Sequence, residues 1–545
     1  MRAWTFAASL TLLLSGCATD ALQTAPARPD QPWKPHVAAN GVLLPGRATP
    51  EKMSPGLRLP AGFELPANQE LRPRPPASEV RPDHDYDLLE LIDLAETSNP
   101  TTRRAWDAAR DAALAVGIAR SSYLPTLTAS VVGGYTSSNQ NGNSVRINGA
   151  GSLESQINAG LKAISDHLNN RSGGQSGTGE VQTLGIQWLL FDFGNREARI
   201  NAAQQAQIAS NVLFNGAHQK VIYEVSIAFY RHAAAVARLA LERAALADSR
   251  KVEAAAEERL RHGHGTVQDA AQARQMTAQG ALRVVQGEGE IEDSNLALMT
   301  TAGLSPLTHL RTASVSGRPL NDGDLRLTDR LVRQAVARRP DVLAAYANVR
   351  AATANVQAAH SDFLPKVFVT GNVAYSTGNL ALSSVPGIGQ NSSPTLNLSS
   401  DRFSSLILGG ITVPVFDGGL RSALLKQAEN RADAAHATLR QTIDESVRQV
   451  VAAQNALHTA YTAFATASAL VAASETSFQA AWSAYRSGAG SVTQATIAAN
   501  GLAQARISQS DAYHAALAAA ASLAFATGAI GTAGDVSARF NDMEE

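Results

Sequence analysis

Two spacings of hydrophobic residues divide the chain. After Pro125 the period is two: Leu127, Ala129, Val131, Gly133 and Tyr135 share one face, with Thr126, Thr128 and Ser130 on the other. The alternation returns at Leu184, Ile186, Trp188 and Leu190 against Thr183, Gly185 and Gln187. It appears again at Val367, Val369, Val373 and Tyr375 against Thr370 and Asn372, and at Ile411, Val413 and Val415 against Thr412. Period two predicts strands with one apolar face, and Pro125 and Pro365 bias the residue before them away from helix. Gly/Ser/Asn-rich stretches, residues 137–180 and 376–404, read as the loops between paired strands.

Beyond Gly194 and Gly419 the period lengthens. No Pro and almost no Gly interrupts the next stretch of each copy, about 66 residues, which as helix would be about 100 Å long. Ile222, Val225, Phe229, Val236 and Leu239 fall on a seven-residue repeat, and Val447, Val450, Leu457, Tyr461 and Phe464 hold the same phase in the second copy. A sustained 3.5-residue period predicts coiled-coil packing, and abundant alanine lets helices approach closely. Second helices are predicted over residues 267–301 and 492–526.

These elements are two copies of one unit. Asn99-Pro100 recurs as Arg339-Pro340 and Tyr123-Leu124-Pro125 as Phe363-Leu364-Pro365. Phe191-Asp192-Phe193-Gly194 recurs as Phe416-Asp417-Gly418-Gly419, and Leu298 to Gly303 as Leu523 to Gly528. The offset shortens between the Leu-Pro and Phe-Asp landmarks, so the copies differ in length in the strand-connecting loop, where length change is tolerated.

Between the helices of each copy the chain reads ERLRHGHGTV and SAYRSGAGSV. Gly263, Gly265, Thr266 and Val267 align with Gly488, Gly490, Ser491 and Val492, while His262 and His264 have no counterparts. A glycine-bearing turn therefore explains the motif, because Gly takes the positive φ that ends a helix. The alternative, zinc held by the two histidines, lacks the three or four ligands such a site needs.

Charge and composition narrow the function. A net charge of −1 over 545 residues gives no footprint for nucleic acid. Arg2 and the apolar run from Trp4 to Leu14 form a signal-peptide core too short to span a bilayer as a helix. The run ends Leu14-Ser15-Gly16-Cys17, which resembles the bacterial lipobox, and Cys17 is the single cysteine, so lipidation accounts for it. Ala18, rather than Asp, follows it, which implies the outer membrane. Residues up to about Pro82 are proline-rich and read as a tether. The Asp-Phe-Gly and Asp-Gly-Gly motifs fit strand-to-helix turns, since no nucleotide loop accompanies them; no catalytic set, metal set or cofactor motif is recognised. Trp188 and Tyr135 suit either a membrane interface or packing against a neighbouring strand.

Strands of about ten residues can cross a bilayer when tilted, but four cannot close a barrel, and open edges are not tolerated in lipid. Three chains would supply twelve strands. The lipobox, twofold repeat, paired strands and two helical hairpins, in this order from Tyr86 to Ile530, resemble the TolC family of outer-membrane factors, in its lipoprotein branch related to OprM. The Asp83-His84-Asp85-Tyr86 segment departs from that branch by following a long tether.

The resemblance implies an α+β membrane protein: a homotrimer whose 12-stranded β-barrel, four strands per chain, continues into a long α-helical coiled-coil tunnel through the periplasm. The corresponding plan is a signal peptide (1–16), a lipid-anchored tether (17–86), repeat 1 (87–305), a linker (306–326), repeat 2 (327–530) and a tail (531–545). The implied role is the exit duct of a tripartite export system, anchored in outer-membrane lipid. An inner-membrane pump, RND, ABC or other, would drive it through a periplasmic adaptor docking at Gly263 to Val267 and Gly488 to Val492. Small-molecule efflux and type I protein secretion are both compatible, and a lipid-anchored scaffold without transport is the alternative from another class. In the family the closed tip is held by an aspartate bonded to a tyrosine, positions that fall on Asp269 and Tyr485. The family's inter-chain arginine falls on Gly490 and its acidic ring on Gln494 and Ile497, so the implied gate lacks that ion pair. The residue-level alternative for Asp269 is an ordinary helix N-terminal role.

Overall fold

The computed structural model describes residues 83–137, 176–315, 329–378 and 403–530, with short pieces at 36–37, 43–44, 67–68, 71, 80–81 and 320. Cys17, the signal segment 1–16, most of the tether, the centres of both strand-connecting loops and the tail 531–545 lie outside the described residues. Contacts divide the chain into two units. In one, Met1–Val80 with Ser305–Thr308, strands β1 (His36–Val37) and β2 (Leu43–Leu44) pair antiparallel. The other, Arg81–Leu304 with His309–Glu545, contains the two repeats.

Its elements run β3 (Asp85–Tyr86), α1 (Leu88–Ser98), α2 (Pro100–Ser121), β4 (Thr126–Ser137), β5 (Ser176–Phe191), α3 (Asn195–Arg261) and α4 (Val267–Thr301). Then come β6 (Arg311–Thr312), α5 (Asp329–Arg338), α6 (Pro340–Ser361), β7 (Lys366–Gly378), β8 (Phe403–Thr412), α7 (Leu420–Ser487) and α8 (Val492–Ala526). Local chemistry sets the breaks. Asn99 caps α2 by accepting from the Thr101 amide at 2.8 Å, and Pro100 occupies the first helical position, where its missing N–H costs nothing. In the second repeat Pro340 does the same behind Arg339.

Asn99 and Arg339 also do the same long-range job with different atoms. Asn99 Nδ2 donates to the carbonyl of Thr301 at 2.8 Å, and Arg339 Nη1 donates to that of Ala526 at 3.0 Å. Both carbonyls belong to the last turn of a return helix, where no intrahelical donor remains. Each hairpin is thereby tied to the helix junction that opens its own repeat.

The four long strands form one antiparallel sheet in the order β4-β5-β7-β8, with β5–β7 pairing joining the repeats. Register places Leu127 opposite Ile186, Leu184 opposite Val373 and Gly371 opposite Ile407, so the alternation read from sequence becomes a single apolar face. That face is bare: Leu127, Val131, Leu184, Val373, Ile407 and Ile411 are exposed. On the other face Ser130 and Thr183 share a 2.6 Å hydrogen bond and Ala374 is buried. Trp188 is half-exposed and donates through Nε1 to the carbonyl of Tyr123 at 2.8 Å. The last strand is shorter than its pattern predicts. Val413 and Val415 lie beyond β8 because Pro414 has no N–H to continue the ladder.

The Asp192 and Asp417 motifs are turns. Each carboxylate accepts from the backbone N–H four residues on and pairs with the same arginine, Arg196 or Arg421. The first pair is buried, and Arg196 also donates to the carbonyls of Ser122, Leu189 and Leu190 while lying over the Tyr123 ring. The second pair is partly exposed.

The long helices pack as the heptads predict at Ile222, Val225, Phe229 and Leu239 of α3 and at Val450 and Leu457 of α7, all buried. Val236 and Val447 depart from the expectation and are exposed, because no described helix covers that side. The two helices differ in surroundings. Helix α3 packs on α1, α2, α4, α6 and α8, whereas among the described residues α7 packs mainly on α5, α6 and α8. Helix α7 also carries an 18-residue window of mean hydropathy 1.2, of which 11% is buried.

Candidate functional site

The predicted tip residues come together where the two hairpins turn. At the first tip α3 ends at Arg261, Gly263 adopts φ +74°, and the His264 amide donates to the Arg259 carbonyl at 2.8 Å. At the second, α7 ends at Ser487, Gly488 adopts φ +82°, and the Ala489 amide donates to the Ala484 carbonyl at 2.9 Å. Only the first glycine of each pair uses the left-handed region. Gly265 and Gly490 serve close approach instead: a Cβ would stand 3.1 Å from the Leu260 amide nitrogen in one and 3.1 Å from the Tyr485 amide nitrogen in the other.

Each return helix opens on a capping box. Thr266 Oγ1 accepts from the Asp269 amide, and the Asp269 carboxylate accepts in turn from the Thr266 amide at 3.2 Å. Ser491 and Gln494 repeat the arrangement. Asp269 thus completes the capping box that opens α4, and among the described residues no hydrogen bond joins it to Tyr485.

Tyr485 meets Arg259. It is buried in a cluster with Val252, Ala256, Ala273, Val492 and Ala495, with Trp482 packed beside it. The Arg259 guanidinium lies over its ring, 5.1 Å from the centroid, and Nη1 donates to its backbone carbonyl at 2.7 Å. Burial pushes the phenol pKa up; the nearby Asp269 charge adds to this and Arg259 opposes it. A second cross-link joins Thr493 Oγ1 to Gln272 Oε1 at 3.0 Å.

The equivalent valines of the two tips differ. Val492 is buried, whereas Val267 is 73% exposed, and Ile497 is exposed as well. His262 pairs with Glu258 at 2.7 Å, and Arg261 contacts the same carboxylate. Among the described residues no three His, Cys, Asp or Glu side chains cluster to hold a metal. Arg259 escaped the sequence reading, although the aligned tips carried the signal: Ala484 stands at its position in the second copy.

The outer membrane efflux protein family matches residues 91–304 and 331–529, the two repeats just described. The chain belongs to this family. Members of the outer membrane efflux protein family are channels of the Gram-negative outer membrane rather than enzymes, which accounts for tips built of caps and turns instead of catalytic groups. Among relatives, Protein CyaE of Bordetella pertussis is 27% identical over 391 residues, 71% of this chain and 72% of the relative. Outer membrane protein OprJ of Pseudomonas aeruginosa is 26% identical over 264 residues, 48% of this chain and 52% of OprJ, so that match spans about half of each. A crystal structure of a membrane protein from Pseudomonas aeruginosa superposes with a TM-score of 0.66 over 81% of this chain and 93% of the other, at 23% identity. At that identity the likeness concerns the fold.

Proposed function

We propose that three copies of the chain close a 12-stranded barrel and helical tunnel, which serves as the outer-membrane exit duct of a tripartite export system. The observation that carries this reading is the incompleteness of the chain. Strands β4 and β8 are both sheet edges, and the apolar face beside them is bare. Helix α3 packs along its length on two helices of the other repeat, α6 and α8, while α7 meets the other repeat chiefly at its tip, around Tyr485. The surfaces that α7 and β8 leave open are those that α2, α4 and β4 of another copy would cover, if the contact between repeats is repeated between chains. Such a head-to-tail contact closes a ring, and closure removes the edges that lipid forbids.

In this reading Cys17 carries the lipid anchor, and repeat 1 (87–305) and repeat 2 (327–530) each supply one hairpin to the tunnel. The tips from Gly263 to Val267 and Gly488 to Val492 receive the periplasmic adaptor, and exposed Val267 suits such a contact. The constriction is lined near Asp269, Tyr485, Gln494 and Ile497. The cargo is small molecules delivered by an inner-membrane pump. Planar-bilayer recording with purified protein tests the duct: discrete ion conductance is expected, and a silent bilayer would favour a lipid-anchored scaffold. A deletion strain tests the cargo. Sensitisation to drugs or toxic compounds supports small-molecule efflux, loss of a secreted protein points to type I secretion, and no change in either counts against an exporter.

A further inference from the structure

We infer that Phe193 is an interfacial anchor: its ring, carried on a strained turn at the edge of the apolar sheet face, inserts at the headgroup level of the periplasmic phospholipid leaflet. The inference rests on the reading above that this bare face meets lipid. Phe193 adopts φ +52°, the one positive φ among the described non-glycine residues. A bulky side chain is an outlier there, since its Cβ crowds the backbone. The turn itself does not ask for a ring. At the same place in the second repeat Gly418 takes φ +67°, and Gly419 follows it as Gly194 follows Phe193. The same bond closes both turns, from the Asn195 amide to the Asp192 carbonyl at 3.2 Å and from the Leu420 amide to the Asp417 carbonyl at 3.4 Å. Glycine therefore builds this turn without strain, and repeat 1 carries a phenyl ring in spite of the backbone cost.

Packing within the chain does not bury the ring either. Phe193 meets Phe191 edge to face, with centroids 4.7 Å apart, yet Phe191 remains 52% and Phe193 44% exposed. The pair continues the apolar face. A register shift between Leu189 and Phe191 sets Phe191 opposite Val367, which in turn lies opposite Ile411, so Phe191 joins the row that ends this face. Tyr375 and Phe403, paired and both exposed, stand at the other end of the face. Between the two rows β7 runs about nine residues, the span with which a tilted strand crosses the hydrocarbon. Phe193 comes just past the lower row, and exposed Val415 and Phe416 follow the face in the second repeat. Charges come next: Arg199 and Lys366 both pair with Asp362, at 3.5 and 2.8 Å. Aromatic rings between an apolar band and a polar layer are what a membrane interface selects.

Tryptophan scanning of the full-length protein in phosphatidylethanolamine–phosphatidylglycerol vesicles tests the anchor. Part of the lipid is brominated either near the headgroup or at mid-chain, and the added tryptophan is read as the difference from the parent. Phe193→Trp should be quenched more by the shallow bromine, Ile407→Trp more by the deep one, and Asn201→Trp, beyond the charged layer, by aqueous iodide alone. Quenching of Phe193→Trp by iodide alone overturns the anchor. Shielding from both bromine and iodide shows a protein cover, such as a second copy, and overturns the lipid as occupant. Loss of bromine quenching at Ile407 instead defeats the reading that the sheet face meets lipid, which the Phe193 result by itself does not touch. Stability in the same vesicles measures the ring. Phe193→Ala keeps a Cβ in the left-handed region and removes only the ring, so it should shift the urea unfolding equilibrium toward the unfolded form about tenfold, with Phe193→Leu shifting it less. Phe193→Gly should recover severalfold over Phe193→Ala, because it alone relieves the backbone. Parental stability in Phe193→Ala overturns the anchor, and Phe193→Gly no better than Phe193→Ala overturns the strained turn that carries it.

Discussion

Gly303→Ala should damage this protein far more than the same change at its repeat partner, Gly528→Ala. Both glycines end a return helix in the left-handed region, with φ +72° and +65°. Both close the helix alike: the amide of Gly303 donates to the Thr300 carbonyl and that of Gly528 to the Phe525 carbonyl. Alanine in that conformation costs about 1–2 kcal/mol at either site. The surroundings differ. A Cβ on Gly303 would stand 2.6 Å from Asn99 Cα and 3.0 Å from Asn99 N, whereas the nearest atoms at Gly528 are those of Arg338 and Arg339 at 3.7 Å. Asn99 cannot retreat, since its side chain is held at both ends, by the Thr101 amide and the Thr301 carbonyl. Forcing a methyl group into packed backbone adds about 1–3 kcal/mol. Gly303→Ala should therefore cost about 2–5 kcal/mol and Gly528→Ala about 1–2 kcal/mol. Urea unfolding of the detergent-solubilised protein, followed by far-UV circular dichroism, measures both. Equal midpoints for the two variants would refute the reasoning, because they share the φ cost and differ only in the Asn99 contact.

Other outcomes follow from the same coordinates. Arg196→Met should cost about 3–5 kcal/mol by leaving buried Asp192 without its partner, while Arg421→Met, at the part-exposed repeat pair, should cost about 1 kcal/mol or less in the same unfolding assay. Asp269→Ala removes one half of a capping box and should cost about 1 kcal/mol, read as faster exchange in the first turn of α4. Burial pushes the Glu242 carboxyl above its ordinary value of 4.5, against the attraction of Arg238 and Arg283 and with Glu290 and Asp511 adding to the rise. The folded state then holds that proton more tightly, so stability falls as pH climbs from 4.5 through the raised pKa; Glu242→Gln should gain most at neutral pH and nothing below 4.5. Unfolding midpoints that shift equally for parent and variant across this range would contradict it.

What the sequence determined by itself is whatever depends on neighbours along the chain. Period-two stretches gave strands, a 3.5-residue period gave helices, and Pro100, Pro340, Gly263 and Gly488 marked breaks because their backbone constraints act within one or two residues. The repeat was legible for the same reason, and with it the family resemblance. Tertiary structure decided what lies opposite what. Gly265 and Gly490 look like further turn glycines, yet they are needed because a helix backbone passes close by. Asn99 and Arg339 share no chemistry that a sequence alignment would equate, and only their placement above Thr301 and Ala526 reveals one function. The family resemblance offered Asp269 as a partner of Tyr485; the structure adds that the Asp269 carboxylate accepts from the Thr266 amide and that Arg259, on the same hairpin as Asp269, lies over the Tyr485 ring. Which side of α7 stays bare was also beyond the pattern, since heptads mark the positions that require a neighbour without saying which chain supplies it.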